Sequence, residues 1–487
     1  MSGAARSVFG LSYHANLRGT GSAILVIVAM AAGFLWSSGH DDQRCAELVL
    51  LAILAPFMLA GAGAAGQIAA LSRPARWCLG AFFVLGAASA MTSFSFRHAV
   101  YEWAMLLLLL LAASLLATEL SRAGASGLKT VLHCVGAVGI LYSLRILLLY
   151  AAALASGVQA DIHALAIGFS NARFFNHAQT ALLPLIVLLY LQAPKRQAWR
   201  PVWFALAAFW WSFLFLSEAR ATVLALAAGC AVAFAVRRAH ARSFLKAMAL
   251  TALAGAVVYA LAFILLPVLA GLQPYNSAMD VLQRTAADPA SRRTLLWELA
   301  FKLIAAHPWL GVGPQHFAHE GATLSWGAHP HNFILQIGAE WGVPALLCLL
   351  GAIGIGMRGL VRSGARVAPA DLSGQQTLAV LLATGAAILV DGLFSGVIVM
   401  PQSQMAIVLY LGCAAGWVRS LEAGVTPRIT PPMRWLTAGL AAIALCGLAF
   451  SVGPDVPRYA RHEPLTPSEQ AANPSTHWPR VWDAGYF

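Results

Sequence analysis

Residues 100–118 read VYEWAMLLLLLLAASLLAT. An apolar run of this length matches the ~20 residues an α-helix needs to cross a bilayer. The pattern recurs along the whole chain. Further runs of membrane length, or close to it, cover about 22–38, 46–70, 77–95, 130–155, 177–192, 201–216, 221–236, 247–268, 333–357, 376–394, 402–418 and 435–452. Together they predict an all-α polytopic membrane protein with about 12 to 13 transmembrane helices. Of the 487 residues, 60% are hydrophobic and 10% charged, a balance that excludes a soluble domain of this size. Neighbouring spans pack on one another, so the membrane part is expected to be one domain. Its parts are helices 1–9 within residues 1–268, a large polar loop at 269–332, the remaining helices at 333–452 and a tail at 453–487.

Lys and Arg fall unevenly between alternate loops. One set of loops, from Arg6 and Arg18 through to Arg419, Arg428 and Arg434, holds nineteen of the thirty-one. The short loops of the other set hold only Arg44, Arg97, Arg173 and Arg220. The basic set is expected in the cytoplasm, which turns the 269–332 loop and the tail outward. The net charge of +12 is therefore read as membrane topology. No nucleic-acid motif accompanies it. Six of the seven cysteines lie inside apolar runs and none forms a CxxC, so they read as small core residues. No cleavage site stands out after the first apolar run, which reads as an uncleaved span.

The one long polar passage runs from Ser291 to Pro344, SRRTLLWELAFKLIAAHPWLGVGPQHFAHEGATLSWGAHPHNFILQIGAEWGVP. Asp288-Pro289 before it reads as a helix start. Arg293–Ala305 reads as an amphipathic helix with Thr294, Glu298 and Lys302 on its polar face, suited to lie along a bilayer surface. His307-Pro308 and Gly311-Val312-Gly313-Pro314 end it.

Several residue types here bear on chemistry. Arg173, Arg220, Arg292 and Arg293 are expected near the outer boundary, where converging guanidinium groups suit a diphosphate. The competing reading is snorkelling to lipid headgroups. Arg220 stands out because it ends the very short turn Ser217-Glu218-Ala219-Arg220. His331 can accept or orient a proton near neutral pH, and His331-Asn332 also reads as a helix N-cap. His316, His319, His329 and His331 admit a loose metal-ligand reading. Arg145, Glu340 and Asp391 fall within or at the ends of apolar runs, and default either to function or to an ion pair of Arg145 with one of the carboxylates. Gly338-x-x-x-Gly342 reads as a close-packing site. A transporter is the rival reading from a different class. It predicts inverted repeats and ion sites at the membrane midplane, whereas the unusual charges here crowd one face.

Taken in order, Ser217-x-x-Arg220, Arg293-x-x-x-Trp297, His307-Pro308-x-Leu310-Gly311-Val312-Gly313, His331-Asn332 and then Gly342 resemble the O-antigen ligase and polymerase superfamily, the Wzy-C group. The motifs span about 217–345. One departure is Ala345, where members often carry Gly, Thr or Tyr. The resemblance implies a GT-C-like helical fold in the bacterial inner membrane with its active site at the periplasmic face. It implies a metal-independent, cofactor-free glycosyltransferase. The donor would be an undecaprenyl-diphosphate-linked O-antigen and the acceptor lipid A core, with membrane lipids as further partners. By position it implies that Arg220 and Arg293 bind the diphosphate and that His331 activates or positions the acceptor. Asp391 matches a functional acidic residue. Arg173, Arg292 and Asn332 join the expected substrate-binding set from their location. A polymerase or a protein O-glycosyltransferase would use the same motifs with another acceptor.

Overall fold

The computed structural model describes residues 19–275, 283, 286, 293–322, 327–422, 429–461, 463, 480–483 and 485. Among them there are helices and no strands. The first part of the chain forms α1 (Gly21–Leu35), α2 (His40–Leu59), α3 (Ala62–Ala70), α4 (Arg73–Thr92) and α5 (Phe96–Ala155). After the short α6 (Ile162–Leu165) come α7 (Ala172–Gln192), α8 (Trp199–Leu216), α9 (Arg220–Arg237) and α10 (Arg242–Tyr259). A π-turn carries α10 into α11 (Leu266–Leu269). The outer passage holds α12 (Thr294–Ala306), α13 (Phe317–Glu320) and α14 (Phe333–Trp341). The chain then forms α15 (Val343–Ser363), α16 (Leu372–Asp391), α17 (Pro401–Ser420), α18 (Pro431–Val452) and α19 (Val456–Ala460).

Each of the thirteen apolar runs falls on helix. Eight helices are long and apolar enough to cross a membrane, or nine if the pair α2 and α3, bent by 79°, is taken as one span. This is fewer than 12 to 13 because some of these stretches hold two runs that the sequence separates. Phe96–Ala155, named α5, is two helices that meet at a kink at Gly124, whose φ of 60° is not helical, and its 60 residues exceed two bilayer crossings. A stretch from Arg220 to Leu269 likewise joins α9 and α10 through the 3₁₀ turn Arg238–Ala241. Helix α1 has fifteen residues, and α17 opens with the polar Gln402, Ser403 and Gln404.

At the centre lie α7, α16, α17 and the first half of α5, buried on nearly every side. Lipid offers apolar side chains no gain over water-free packing, so close contact of small residues does the work here. A Cβ on Gly412 or Gly416 would run into Leu116 or Leu120 of α5, and one on Gly229 would strike the carbonyl of Ala383. The outer faces of α4, α10 and α15 expose Val84, Leu253 and Leu347, as a lipid-facing surface should. All seven cysteines are free thiols.

The run at 333–357 is not one span. It divides at Gly342, whose φ is 86°, into the nine-residue α14 and the long α15. The HPWLGVGP turn explains the break. The Val312 and Gly313 amides donate to the Ala339 and Glu340 carbonyls at 2.9 and 3.0 Å, so the turn caps the end of α14. A Cβ on Gly342 would collide with the Trp309 carbonyl. Gly338 also lies close to Ile304, so both glycines of the GxxxG serve close approach. Helix α12 begins one residue later than expected. It buries Leu296, Ala300 and Leu303 against Leu335 and Ala339, and leaves Thr294, Glu298 and Lys302 exposed. The Asp288-Pro289 start and Arg292 lie outside the described residues.

The expected pairing of Arg145 with Glu340 or Asp391 does not occur. Arg145 donates to the Phe34 carbonyl at 2.7 Å, Glu340 is held by Arg480, and Asp391 accepts from Thr180. Thr180 and Arg480 lay outside the pairing considered because neither belongs to the set of charges within apolar runs.

Candidate active site

Four helix starts and one helix end meet at one end of the bundle. The Asn171 side chain caps α7 by accepting from the Arg173 amide at 2.9 Å, which places Arg173 and His177 on its first two turns. Arg220 opens α9 directly after a turn in which Glu218 has a φ of 52°. Arg293 immediately precedes α12. Asn332 caps α14, its Oδ1 accepting from the Ile334 and Leu335 amides at 3.0 and 3.1 Å. Asp391 is the last residue of α16. Helix starts carry partial positive charge and favour anions.

Particular contacts bring these ends together. The Phe333 amide donates to the Gly392 carbonyl at 2.8 Å, joining the His331 turn to the end of α16. The Thr180 hydroxyl donates to Asp391 Oδ2 at 2.5 Å, joining α7 to the same point. Helices α9 and α16 run antiparallel, with Gly229 against Ala383 and Arg237 against Gln375. That register, carried back to the start of α9, sets Arg220 level with Asp391 and Gly392.

His331 has a φ of 53°. A non-glycine residue in this left-handed region costs about 1 kcal/mol, and such strain concentrates at functional sites. Its amide donates to His329 Nδ1 at 3.3 Å, and the two imidazoles lie 4.1 Å apart between centroids. Burial holds the His331 pKa well below the usual histidine value, and the charges of Arg293, His177 and Arg173 lower it further. His329 is lowered in the same way, first by burial and then by His331, Arg480, His177 and Arg293. Both rings are therefore neutral at pH 7. His177 is buried beside them, and its Nδ1 meets no partner among the described residues. Arg293 acts electrostatically on His177, His329, His331 and Asp391 alike, which makes it the hub of the site.

Of the expected residues, the structure groups His331, Arg293, Arg173 and Asp391, and it puts Arg220 at the same level. Asn332 lies in the site, but its side-chain oxygen is engaged in capping α14. The tetrad of histidines does not converge. His316 uses both ring nitrogens, accepting from the Ser95 amide at 2.8 Å and donating to the Pro314 carbonyl at 2.8 Å. His319 stacks on Phe94. Among the described residues no three His, Cys, Asp or Glu side chains are grouped to hold a metal. His177 and Thr180 lie in the site and were not singled out from the sequence, while His329 was weighed there only as a loose metal ligand. Arg173 and His177 stand four apart on one helix face, a spacing that could have revealed the first of these.

The fold and this site define a multi-pass, all-α membrane protein whose basic and imidazole groups collect at one end of its helix bundle. Residues 202–350 match the family model described as O-antigen ligase, which supports membership of the chain in the O-antigen ligase and polymerase superfamily. Members of that superfamily are glycosyltransferase-like enzymes acting on polysaccharide and lipid-linked substrates. The matched segment contains Arg220, Arg293 and His331, while Arg173, His177, Asp391 and Arg480 fall outside it. No curated protein matches the chain at a significant level.

Proposed function

We propose that the protein is an O-antigen ligase. It transfers O-antigen from undecaprenyl diphosphate to a sugar hydroxyl of lipid A core, at the outer face of the bacterial inner membrane. The observation that carries this reading is the placement of Arg293 beside a neutral His331. It sets a cation for a diphosphate next to a group able to take a proton. The asymmetry of basic loops supports the outer face.

In this mechanism Arg173, Arg220 and Arg293 hold the diphosphate. The acceptor hydroxyl attacks the anomeric carbon, and the new C–O bond forms as the bond to the diphosphate oxygen breaks. A ring nitrogen of His331 receives the hydroxyl proton, and undecaprenyl diphosphate departs with the bonding pair. The arginines stabilise the charge that develops on it. Direct displacement inverts the anomeric centre. Asp391, held by Thr180, acts electrostatically on Arg293. Occupancy and base strength are linked. A bound diphosphate offsets the positive field of Arg293 and Arg173, and the proton affinity of His331 rises. The base therefore strengthens when the donor is in place.

The test is glycan transfer by the purified protein in detergent, from undecaprenyl-diphosphate O-antigen to lipid A core, with EDTA present. Transfer by the wild type, lost in folded Arg220→Ala and His331→Ala, supports the reading. Transfer only to a second lipid-linked glycan would assign a polymerase, and transfer only to a pilin-like protein a protein glycosyltransferase. Loss of activity on adding EDTA would reinstate a metal. Flux of substrate into sealed liposomes without glycosyl transfer would overturn the enzyme altogether.

A further inference from the structure

Arg480 is only 3% exposed. Its Nη2 donates to Glu102 Oε2 at 2.5 Å, and to Glu340 Oε1 and Oε2 at 2.8 and 2.6 Å. The backbone of the same short segment is gripped from the other side. Arg44 donates through Nε to the Val481 carbonyl and through Nη2 to the Arg480 carbonyl, both at 3.2 Å. The Asp483 amide donates to Asp41 Oδ1 at 2.7 Å, and the Trp482 ring stacks on Tyr459 at 4.1 Å. Four residues thus join α2, α5, α14 and α19.

A buried guanidinium is costly unless its charge is paired; among the described residues Nη1 of Arg480 meets no partner and Nη2 is paired with both carboxylates. Here it separates two carboxylates that would otherwise repel each other. One of them, Glu340, belongs to the short helix that His331 and Asn332 open. The remaining contacts of Glu340 secure the same end of that helix. Its Oε1 accepts from the Phe317 amide at 3.0 Å, and its carbonyl accepts from the Ser89 hydroxyl at 2.9 Å. Glu102 adds a second link, accepting from Gln336 on the middle of α14 at 3.3 Å. The charge of Arg480 also reaches His329. A path of direct contacts therefore runs from Arg480 through Glu340 and Glu102 to α14, and along α14 to His331.

We propose that Arg480–Asp483 is an internal tether that fixes the short helix carrying His331, and that Arg480 is a positioning residue for the transfer reaction. The second half of this rests on the assignment of His331 to the acceptor proton. The first half does not.

Three variants of the intact chain test it. Arg480→Met leaves Glu102 and Glu340 facing each other. The triple variant Glu102→Gln/Glu340→Gln/Arg480→Met removes the repulsion with the tether, and it decides the matter if the single variant does not fold. Amide hydrogen exchange over Phe333–Trp341 is expected to quicken by about tenfold or more while the amides of α16 keep their protection. The kcat for transfer is expected to fall by about 100-fold as His331 shifts. The KM for the lipid-linked donor should stay within about twofold, because the arginines that hold it are not attached to the tether. Arg480→Lys should recover part of the kcat, since it keeps the charge without the forked geometry. Unchanged exchange over Phe333–Trp341 in the triple variant would overturn the tether, whatever the activity. So would an equal loss of protection in every helix. Faster exchange confined to α14, in a protein whose wild type transfers no glycan, would uphold the tether and defeat the enzymatic reading.

Discussion

Helix α14 has opposite chemistry at its two ends. His331 and its cap precede it, and Glu340 is its penultimate residue. Nine residues at 1.5 Å each separate the ends by only about 13 Å. Around the first end Arg173, Arg220 and Arg293 outnumber the carboxylates Glu218 and Asp391. Around the second, Glu47, Glu102 and Glu340 outnumber Arg44 and Arg480, and the arginines are paired to them directly. The first cluster keeps positive charge in excess and imidazoles neutral, as a site for an anion should. The second uses its charges on one another and is sealed from water. Charge in a membrane protein is commonly read as function. Here the sign of the charge in excess separates the candidate site from the structural cluster.

The largest expected effect lies at the first end. Arg293→Ala should reduce transfer by about 1,000-fold, while thermal unfolding in detergent stays close to that of the wild type. The residue is half-buried, and its charge acts on His177, His329, His331 and Asp391. A variant as unstable as one made in the second cluster would break the distinction between the two ends.

The second cluster should respond in the opposite sense. Glu340→Ala removes the acceptor for Arg480 and for the Phe317 amide together. Leaving one partner of a buried pair uncompensated costs about 3–5 kcal/mol, to be read from chemical or thermal unfolding. Stability within about 1 kcal/mol of the wild type would show that the pairing is dispensable.

The sequence foretold these two ends unequally. The apolar runs disclosed the helices because a bilayer requires long uninterrupted hydrophobic stretches. Arg293 and His331 stood out as motif residues within the one long polar passage, and Arg220 at the end of a very short turn between two apolar runs. What escaped notice depended on contacts between distant parts of the chain. Arg480 lies in a polar tail, and nothing local marks it as buried 378 positions from Glu102. Arg145 was a reasonable partner for an intramembrane carboxylate, yet a backbone carbonyl satisfies it. The split at Gly342 was hidden because its two flanks are both apolar. Only the HPWLGVGP turn folding back over α14 reveals why helix must stop there.

A smaller effect probes how firmly α14 is seated. Trp341 stacks on Phe82 with centroids 4.5 Å apart, and a Cβ on Gly86 would overlap the Trp341 ring. Gly86→Ala should therefore cost about 1–3 kcal/mol through overpacking. Replacing Trp341 by Leu in the same chain should return part of that loss. If the two changes simply add, the ring is not what Gly86 accommodates.

The smallest effect distinguishes burial from charge within the first cluster. His329 and His331 have folded-state pKa values held well below 6.5, so the unfolded chain binds their protons first as the pH falls. Their contribution to stability is then flat above about pH 7 and declines below about pH 6.5. The slope approaches about 1.4 kcal/mol per pH unit for each histidine until the folded values are reached. Thermal unfolding of the wild type and of His329→Gln/His331→Gln should diverge only below that point. For His331 burial is the larger cause, followed by the charges of Arg293, His177 and Arg173; His329 also faces Arg480. Arg293→Ala should consequently shorten the declining pH range without abolishing it. Inorganic pyrophosphate, if it occupies the arginines, should do the same to the wild type and have a smaller effect on Arg293→Ala, where the charge of Arg173 is left to offset. A decline erased completely by Arg293→Ala would mean that charge, and not exclusion of water, keeps the imidazoles neutral.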